Sequence, residues 1–289
     1  MKESAHQDRE NDRRAALYVV ATPIGNLGDV TLRALDVLKS VDLIAAEDTR
    51  VAQRLLTHYG IESKLVSLHE HNERTAAQKL IAALDAGKAV ALVTDAGTPG
   101  ISDPGSRAVA QIRAAGHVVV PIPGPNAAAC ALSAAGIEAP HFLFYGFLPQ
   151  QGGARERELA ALAGLPYVLV FYEAPHRVVA SVRDMANAFG DRRVTIAREL
   201  TKLYETIHVC ALSEAAAWLE ADANRLKGEF VLLVEGAAAS APPSDDVERV
   251  LEVLLADLPL RQAVTLAVKL TGARKNDVYE RALTLGKRR

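Results

Sequence analysis

The chain has 289 residues, with an apolar share of 49% and a charged share of 24%; this is the size of about two average domains and excludes a disordered or fibrous protein. A net charge of −2 and a pI near 6.5 exclude the bulk basic field of a non-specific nucleic-acid binder, so any RNA or DNA contact must come from local patches. Two cysteines, Cys130 and Cys210, rule out a disulfide scaffold or a cysteine zinc site and fit a reducing cytoplasm. No apolar run reaches the roughly 18 residues of a membrane span. The polar start MKESAHQDRENDRR lacks the apolar stretch of a secretory signal and reads as a loose tail over residues 1–16.

From Leu17 onward, short Val/Leu/Ile runs alternate with amphipathic segments. LYVVATP is a strand; Val30 to Ser40 is a helix with Leu32, Leu35 and Leu38 on one face. VDLIAA is the second strand, Thr49 to Tyr59 a helix, KLVSL the third strand, and Glu73 to Asp85 a helix closed by Gly87. AVALVTD, a helix after Asp103-Pro104, HVVVPIP and the alanine-rich segment Asn126 to Ala135 complete an α/β domain over 17–137. Continuous apolar strands separated by helices predict a parallel sheet buried on both faces.

A second α/β domain is expected over 138–236, beginning near FLFYGFLP. YVLVFYE is a strand and His176 to Phe189 a helix, with Arg155 and Arg157 assigned to a solvated helix face. RRVTIAREL and YETIHVC leave no room for a helix between them, so the sheet is mixed. A helix from Ser213 to Ala223 and the strand EFVLLVE follow. GAAASAPPSDD has linker composition, assigned to 237–244. Three helical stretches over 245–289 then form a small module of helix-turn-helix appearance, ending in Lys287-Arg288-Arg289.

In an open α/β domain, ligands gather at the carboxyl ends of the parallel strands. Those ends here read Thr22-Pro23-Ile24-Gly25, Glu47-Asp48-Thr49-Arg50, His69-Glu70-His71, Thr94 through Gly105, and Pro123-Gly124-Pro125-Asn126. Glycines in such loops allow backbone groups to approach a ligand closely. The loop DAGTPGISDPG, with three glycines and two prolines, is longer than a strand–helix connection needs. The chain lacks the G-x-G-x-x-G dinucleotide fingerprint, the Walker phosphate loop, the G-x-S-x-G elbow and the H-E-x-x-H zinc motif. His69 and His71 have no further His or Cys at ligand spacing, so no metal site is expected.

Five segments in order, ATPIGNLGDVTLRAL, AAEDTR, DAGTPGISDPG, PGPNAAACALSAAG and FYEAPHR, extended by AREL-TK-YE and GEFVLLVEG, resemble the ribosomal RNA small-subunit methyltransferase I branch of the tetrapyrrole-methylase-like superfamily. The resemblance covers residues 17 to 236. It implies two α/β domains holding S-adenosylmethionine in the cleft between them, and methyl transfer to the ribose 2′-hydroxyl of a cytidine in 16S rRNA of the small ribosomal subunit. By motif position, Pro23 and Gly25, then Asp95, Ala96, Gly97, Thr98 and Pro99, would line the donor. Asn126, Ala127 and Ala128 meet it from the next strand end, and Tyr172, Glu173, Phe230 and Val231 from the second domain. A homodimer in the cytoplasm, with no membrane or DNA partner, is also implied.

A ribose 2′-hydroxyl is a poor nucleophile at neutral pH and calls for a base. Glu47, Asp48, Glu173 and Glu199 are the candidates carried forward, from a wider set that includes His69, Glu70, His176, Lys202 and Glu205; the sequence does not rank them. Arg50, His69, His176, Arg177 and Lys202 are the candidate RNA contacts. Arg192-Arg193 and Arg274-Lys275 are further local basic patches, which bind RNA only where they converge on one face. The rival readings are a tetrapyrrole carbon methylase of the same fold and a non-catalytic RNA-binding assembly factor. AEDTR, FYEAPHR and the basic appendage favour the RNA branch.

Overall fold

The computed structural model describes residues 15–238 and 244–286. The tail over 1–14, the linker residues 239–243 and the terminal Lys287-Arg288-Arg289 lie outside the described residues. The chain divides into two compact units, one reaching Gly236 and the other starting at Ala237.

The first sheet of the larger unit contains β1 (Ala16–Val20), β2 (Leu43–Ala46), β3 (Leu65–Ser67), β4 (Val90–Val93) and β5 (Val118–Ile122), all parallel in the order β3-β2-β4-β1-β5. Its helices are α1 (Leu32–Ser40), α2 (Thr49–His58), α3 (Glu73–Asp85) and α4 (Ser106–Ala114). Strand period two sends alternate residues to opposite faces. Tyr18, Val20, Ile44 and Val93 pack with α1 and α2, while Leu17, Leu43, Val90 and Leu92 pack with α3 and α4. Both faces are therefore covered, as expected for continuous apolar strands.

Helix α5 (Ala127–Ala134) leads into the second sheet. Strands β6 (Phe142–Phe147), β7 (Val168–Glu173), β8 (Arg193–Arg198), β9 (Thr206–Ala211) and β10 (Phe230–Val234) run in the order β6-β7-β10-β8-β9. Only the β6–β7 pair is parallel. Helices α6 (Gly152–Leu162), α7 (Val178–Phe189) and α8 (Leu212–Glu220) cover one face through Leu159, Val182, Met185 and Leu219. Ala128 and Ala131 of α5 cover the other, against Val170, Val231 and Leu233. The half-buried thiols Cys130 and Cys210 pack beside these two clusters.

Three expectations change. The helix expected from Val30 starts at Leu32, which is itself 82% exposed, because Thr31 caps it. The helix expected from His176 starts two residues later, because Arg177 occupies its N-cap position. Arg155 is not solvated: it is 7% exposed, and its Nε lies 2.6 Å from Asp184 on α7. The pair links α6 to α7, and the apolar neighbours of α6 carry the charge inward with its partner.

The smaller unit consists of α9 (Ser244–Asp257), α10 (Leu260–Thr271) and α11 (Lys275–Gly286). Its core is Val247, Leu251, Val264, Ala267, Val278 and Ala282. Gly272 ends α10 in the left-handed conformation, φ 68°, where glycine escapes the Cβ penalty.

One buried carboxylate organises the first sheet's ligand end. Glu73, 5% exposed at the start of α3, accepts from Gly105 N and Ala108 N, both at 3.0 Å. Gly105 has no side chain to cap α4, so Glu73 supplies the cap from another helix, with its charge at the positive end of the helix dipole. Glu73→Ala is expected to lower stability by about 2–3 kcal/mol through two unsatisfied buried donors, read from the urea midpoint. Glu73→Gln, which keeps an acceptor oxygen, should lose less.

Candidate functional site

Strand registers bring the ends of both sheets to one place. In the first sheet, the loops leaving β1 and β4 are joined by reciprocal backbone bonds, Thr22 N to Gly97 O at 2.8 Å and Gly97 N to Thr22 O at 3.0 Å. The hydroxyl of Thr98 donates to Pro125 O after β5, at 3.1 Å. In the second sheet, Tyr172 and Glu173 at the end of β7 sit opposite Val231 and Phe230 at the start of β10. Phe147, ending β6, sits beside Tyr172.

Between these ends lies a cleft of about 350 Å³, within the range of small-molecule sites. From the first sheet it is lined by Ala96, Gly97, Thr98, Asn126 and Ala127, all anticipated, and from the second by Tyr172, Glu173, Phe230 and Val231, also anticipated. Gly97 has φ +82°, and a Cβ there would meet Ile24 at 3.5 Å and the Pro125 carbonyl at 3.8 Å. The left-handed backbone is what calls for glycine here, and it lets the chain pass the cleft with no side chain of its own. Asn126 caps α5 by accepting from Ala129 N at 3.1 Å. Tyr172 stands edge-on to Phe144 and Phe147, with centroids 5.0 and 5.7 Å away. Its hydroxyl oxygen accepts from Ala128 N at 3.2 Å. Burial raises the phenol above its ordinary value, so the ring is neutral.

Other anticipated residues support the cleft without lining it. Pro23, Pro99 and Ala128 are buried behind it. Gly25 lies under the turn after β8, where a Cβ would sit 2.5 Å from Lys202 and 2.9 Å from Thr201. Its glycine identity reflects that crossing, which Asn26 N completes by donating to Thr201 Oγ1 at 3.1 Å. Asp95 is exposed, and its carboxylate accepts from Asp48 N at 3.0 Å. Partial desolvation of its carboxyl by neighbouring loops and the nearby Glu47 and Asp48 charges hold Asp95 above the ordinary carboxylate value, against the Asp48 hydrogen bond.

The candidate bases fare differently. Glu173, 2% exposed, lies against the Arg177 guanidinium at 3.1 Å and accepts from Ser181 Oγ and Ala174 N. Its carboxylate is spent inside the second sheet's core. Glu199 accepts from Lys202 Nζ at 2.8 Å and Glu229 N at 3.1 Å. Although burial acts to raise its value, these two hydrogen bonds hold Glu199 below it. Asp48 forks with Arg50, and those hydrogen bonds lower it to about 2. Glu47 accepts from Thr94 Oγ1 at 2.6 Å, behind the cleft lining.

Among the candidate RNA contacts, Arg177 is directed inward, donating to Leu148 O and Pro149 O as well as facing Glu173. With its side chain only 13% exposed, this guanidinium is turned toward the protein interior and not offered to solvent. Lys202 is shared between Glu199 and Glu229, at 2.8 and 2.9 Å. Arg50 is outward-facing but holds Asp48. His176 is exposed and His69 half-buried, on separate loops. Among the described residues no group of His, Cys, Asp and Glu has the arrangement of a metal site.

Ile24, inside the turn from Pro23 to Gly25 expected to line the donor, does line the cleft, as do Ile101, Ser102, Asp103, Leu200 and Glu229, which the sequence did not single out. Asp103 matters most chemically. Desolvation, followed by the neighbouring Glu47 and Asp95 charges, raises it to about 7. The DAGTPGISDPG loop reads from sequence as a ligand loop, but nothing in it marks this carboxylate apart.

The chain's residues 16–216 match the family of tetrapyrrole (corrin/porphyrin) methylases, and 241–286 match the RsmI C-terminal HTH domain. It is 49% identical over 281 residues to ribosomal RNA small subunit methyltransferase I of Escherichia coli O157:H7, covering 96% of this chain and 98% of that one. Against the protein of the same name from Pseudomonas aeruginosa it is 50% identical over 271 residues, covering 92% and 96%. Among solved structures, cobalt precorrin-4 methyltransferase, a cobalamin biosynthetic enzyme, superposes with a TM-score of 0.59 at 16% identity, covering 78% of this chain and 96% of that one. Uroporphyrin-III-C-methyltransferase from Thermus thermophilus gives 0.54 at 20% identity, covering 77% and 94%. These structural likenesses establish the fold. The chain is a methyltransferase of the tetrapyrrole (corrin/porphyrin) methylase family and belongs to its ribosomal RNA small subunit methyltransferase I branch.

Proposed function

We propose that this chain transfers a methyl group from S-adenosylmethionine to the ribose 2′-hydroxyl of a cytidine in 16S rRNA, with the cleft between the two sheets as the donor site. The observation carrying this reading is the cleft itself: small-residue backbone at Ala96 and Gly97, the aromatic rings of Tyr172 and Phe147, and a carboxylate at Glu229. A sulfonium cation is stabilised by carbonyl oxygens, ring faces and negative charge, so these residues fit such a donor. When bound, the donor supplies an electrophilic methyl carbon.

The chain's own contribution is positioning. In-line displacement requires nucleophile, methyl carbon and sulfur to be collinear, and holding them so removes much of the barrier. Gly97 and Thr98 are held by the Thr22 and Pro125 bonds, and Ala127 by the Asn126 cap. Tyr172 is held by Ala128 N and two flanking rings. These supports lock the first-contact groups before any ligand arrives. The apolar ring faces and Ile101 exclude water from the same space. The division into residues 17–137 and 138–236, one sheet each, assigns one wall of the cleft to each half. The resemblance adds a homodimer acting in the cytoplasm; among the described residues no helix is long and apolar enough to cross a membrane. The 245–289 module, matched to a helix-turn-helix family over 241–286, is the part proposed to dock rRNA.

Two outcomes test this. Labelled S-adenosylmethionine offered with naked 16S rRNA and with isolated small subunits should yield an alkali-resistant dinucleotide carrying 2′-O-methylcytidine. Label on a base, or only on a tetrapyrrole offered in parallel, would overturn the reading. Tyr172→Leu should weaken donor binding about five- to tenfold by calorimetry, the scale of a lost ring–cation contact. An unchanged affinity would place the donor elsewhere.

A further inference from the structure

We infer that Asp103 is the group that accepts the proton of the attacking ribose hydroxyl, an assignment that rests on the methyl-transfer reading above. Three observations converge on it: position, the engagement of its rivals, and the polarity of its surroundings.

Asp103 lines the cleft and is half-buried. The loop carrying it is held on both sides. Glu73 fixes Gly105 and Ala108 just after it. Gly146 of β6, at φ +82°, lies so close that a Cβ would stand 2.8 Å from Ser102 Oγ. Ser102 itself adopts φ +63°, a left-handed conformation that costs a non-glycine residue and persists only where surroundings enforce it. The carboxyl is therefore delivered to the cleft by a rigid support.

The other carboxylates at the cleft are committed. Glu173 holds Arg177 and Ser181, and Glu199 holds Lys202. Glu229 also holds Lys202, with its side chain 75% exposed. Among the described residues Asp103 forms no ion pair, and the charges acting on it, Glu47, Asp95 and Glu229, are all negative. Tyr172, the remaining titratable group facing it, is itself pushed up in part by Asp103. Burial and those charges disfavour the carboxylate and lift Asp103 to about 7, where a base both exists deprotonated and holds a proton well.

Thr94 links the group to its neighbours. Its hydroxyl donates to Glu47 at 2.6 Å and also contacts Asp103. A hydroxyl has one proton to give. Once protonated, Asp103 can donate to Thr94 Oγ1 while Thr94 still donates to Glu47, so the neutral acid is accommodated without rearrangement. In the reaction the 2′-oxygen forms its bond to the methyl carbon as the carbon–sulfur bond of the sulfonium donor breaks. The electron pair of that bond passes to sulfur, leaving a neutral thioether, and the hydroxyl proton passes to the Asp103 carboxylate.

The test is single-turnover methylation of the small subunit by wild type and Asp103→Asn across pH, with donor affinity by calorimetry alongside. The wild-type rate should rise with pH through about 7 and level off. Asp103→Asn should lose roughly 100-fold or more in rate, lose that pH dependence, and bind the donor within about threefold of wild type; Asp103→Glu should recover part of the rate. A second readout needs no substrate. Folding lifts this carboxyl from 3.8 to about 7, so the stability it confers is complete below 3.8 and is lost as pH rises through 7. The melting temperature of Asp103→Asn should therefore gain on wild type between pH 5 and pH 8. Equal rates and pH profiles for wild type and Asp103→Asn would overturn the assignment while leaving the methylase reading intact. A loss of donor affinity matching the loss of rate would also overturn it, making Asp103 a donor-holding group. Failure of the wild type to methylate rRNA would overturn both.

Discussion

The loop from Thr94 to Gly105 has to satisfy its backbone polar groups without the regular bonds of a helix or strand, at a place where both sheets end. Buried amides and carbonyls left unpaired are costly. Thr22, after the first strand, and Glu73, on the third helix, satisfy backbone groups of the loop, and the Thr98 hydroxyl ties it to Pro125 O after the fifth strand. Each bond that satisfies the loop also fixes a wall of the cleft. The site is thus a consequence of how this loop is held, and its residues are placed before any ligand binds.

The electrostatics follow from the same arrangement. Asp103 and Glu229 line the cleft, and Glu47 and Asp95 lie just behind Asp103. A negative, partly desolvated cleft favours a cation and repels phosphate. On the proposed reading it favours the sulfonium donor over the neutral thioether left after transfer, so the change of charge itself promotes product exchange. The rRNA backbone must then approach over other surfaces and present only a ribose to the cleft.

Much of the fold was legible because its physics is local. Strands buried on both faces read as continuous Val/Leu/Ile runs, and β1, β2, β4 and β10 show that pattern. The loops at the strand ends were recognisable from Gly and Pro content, and Ala96, Gly97, Thr98, Asn126 and Tyr172 do line the cleft. What sequence could not show was which polar groups are already taken. Glu173 and Arg177, four residues apart, look available as base and RNA contact, yet they neutralise each other inside the second core. Arg155 pairs with Asp184, 29 residues away. Gly25 looks like a ligand contact and is a loop crossing. Asp103 was overlooked for the converse reason: its importance lies in having only negative neighbours, and those come from three separate loops. Long-range pairing is a property of the folded chain and leaves no periodic trace in its sequence.

The central claim is that the cleft between the two sheets is where the methyl donor binds. Amide hydrogen exchange with and without S-adenosylmethionine tests this most directly, since binding slows exchange where it suppresses local opening. Protection is expected to concentrate in residues 95–105, 126–130 and 172–175, and at the start of β10 around Phe230 and Val231. Protection confined to the three C-terminal helices or to the β9 edge, with these loops unchanged, would contradict it.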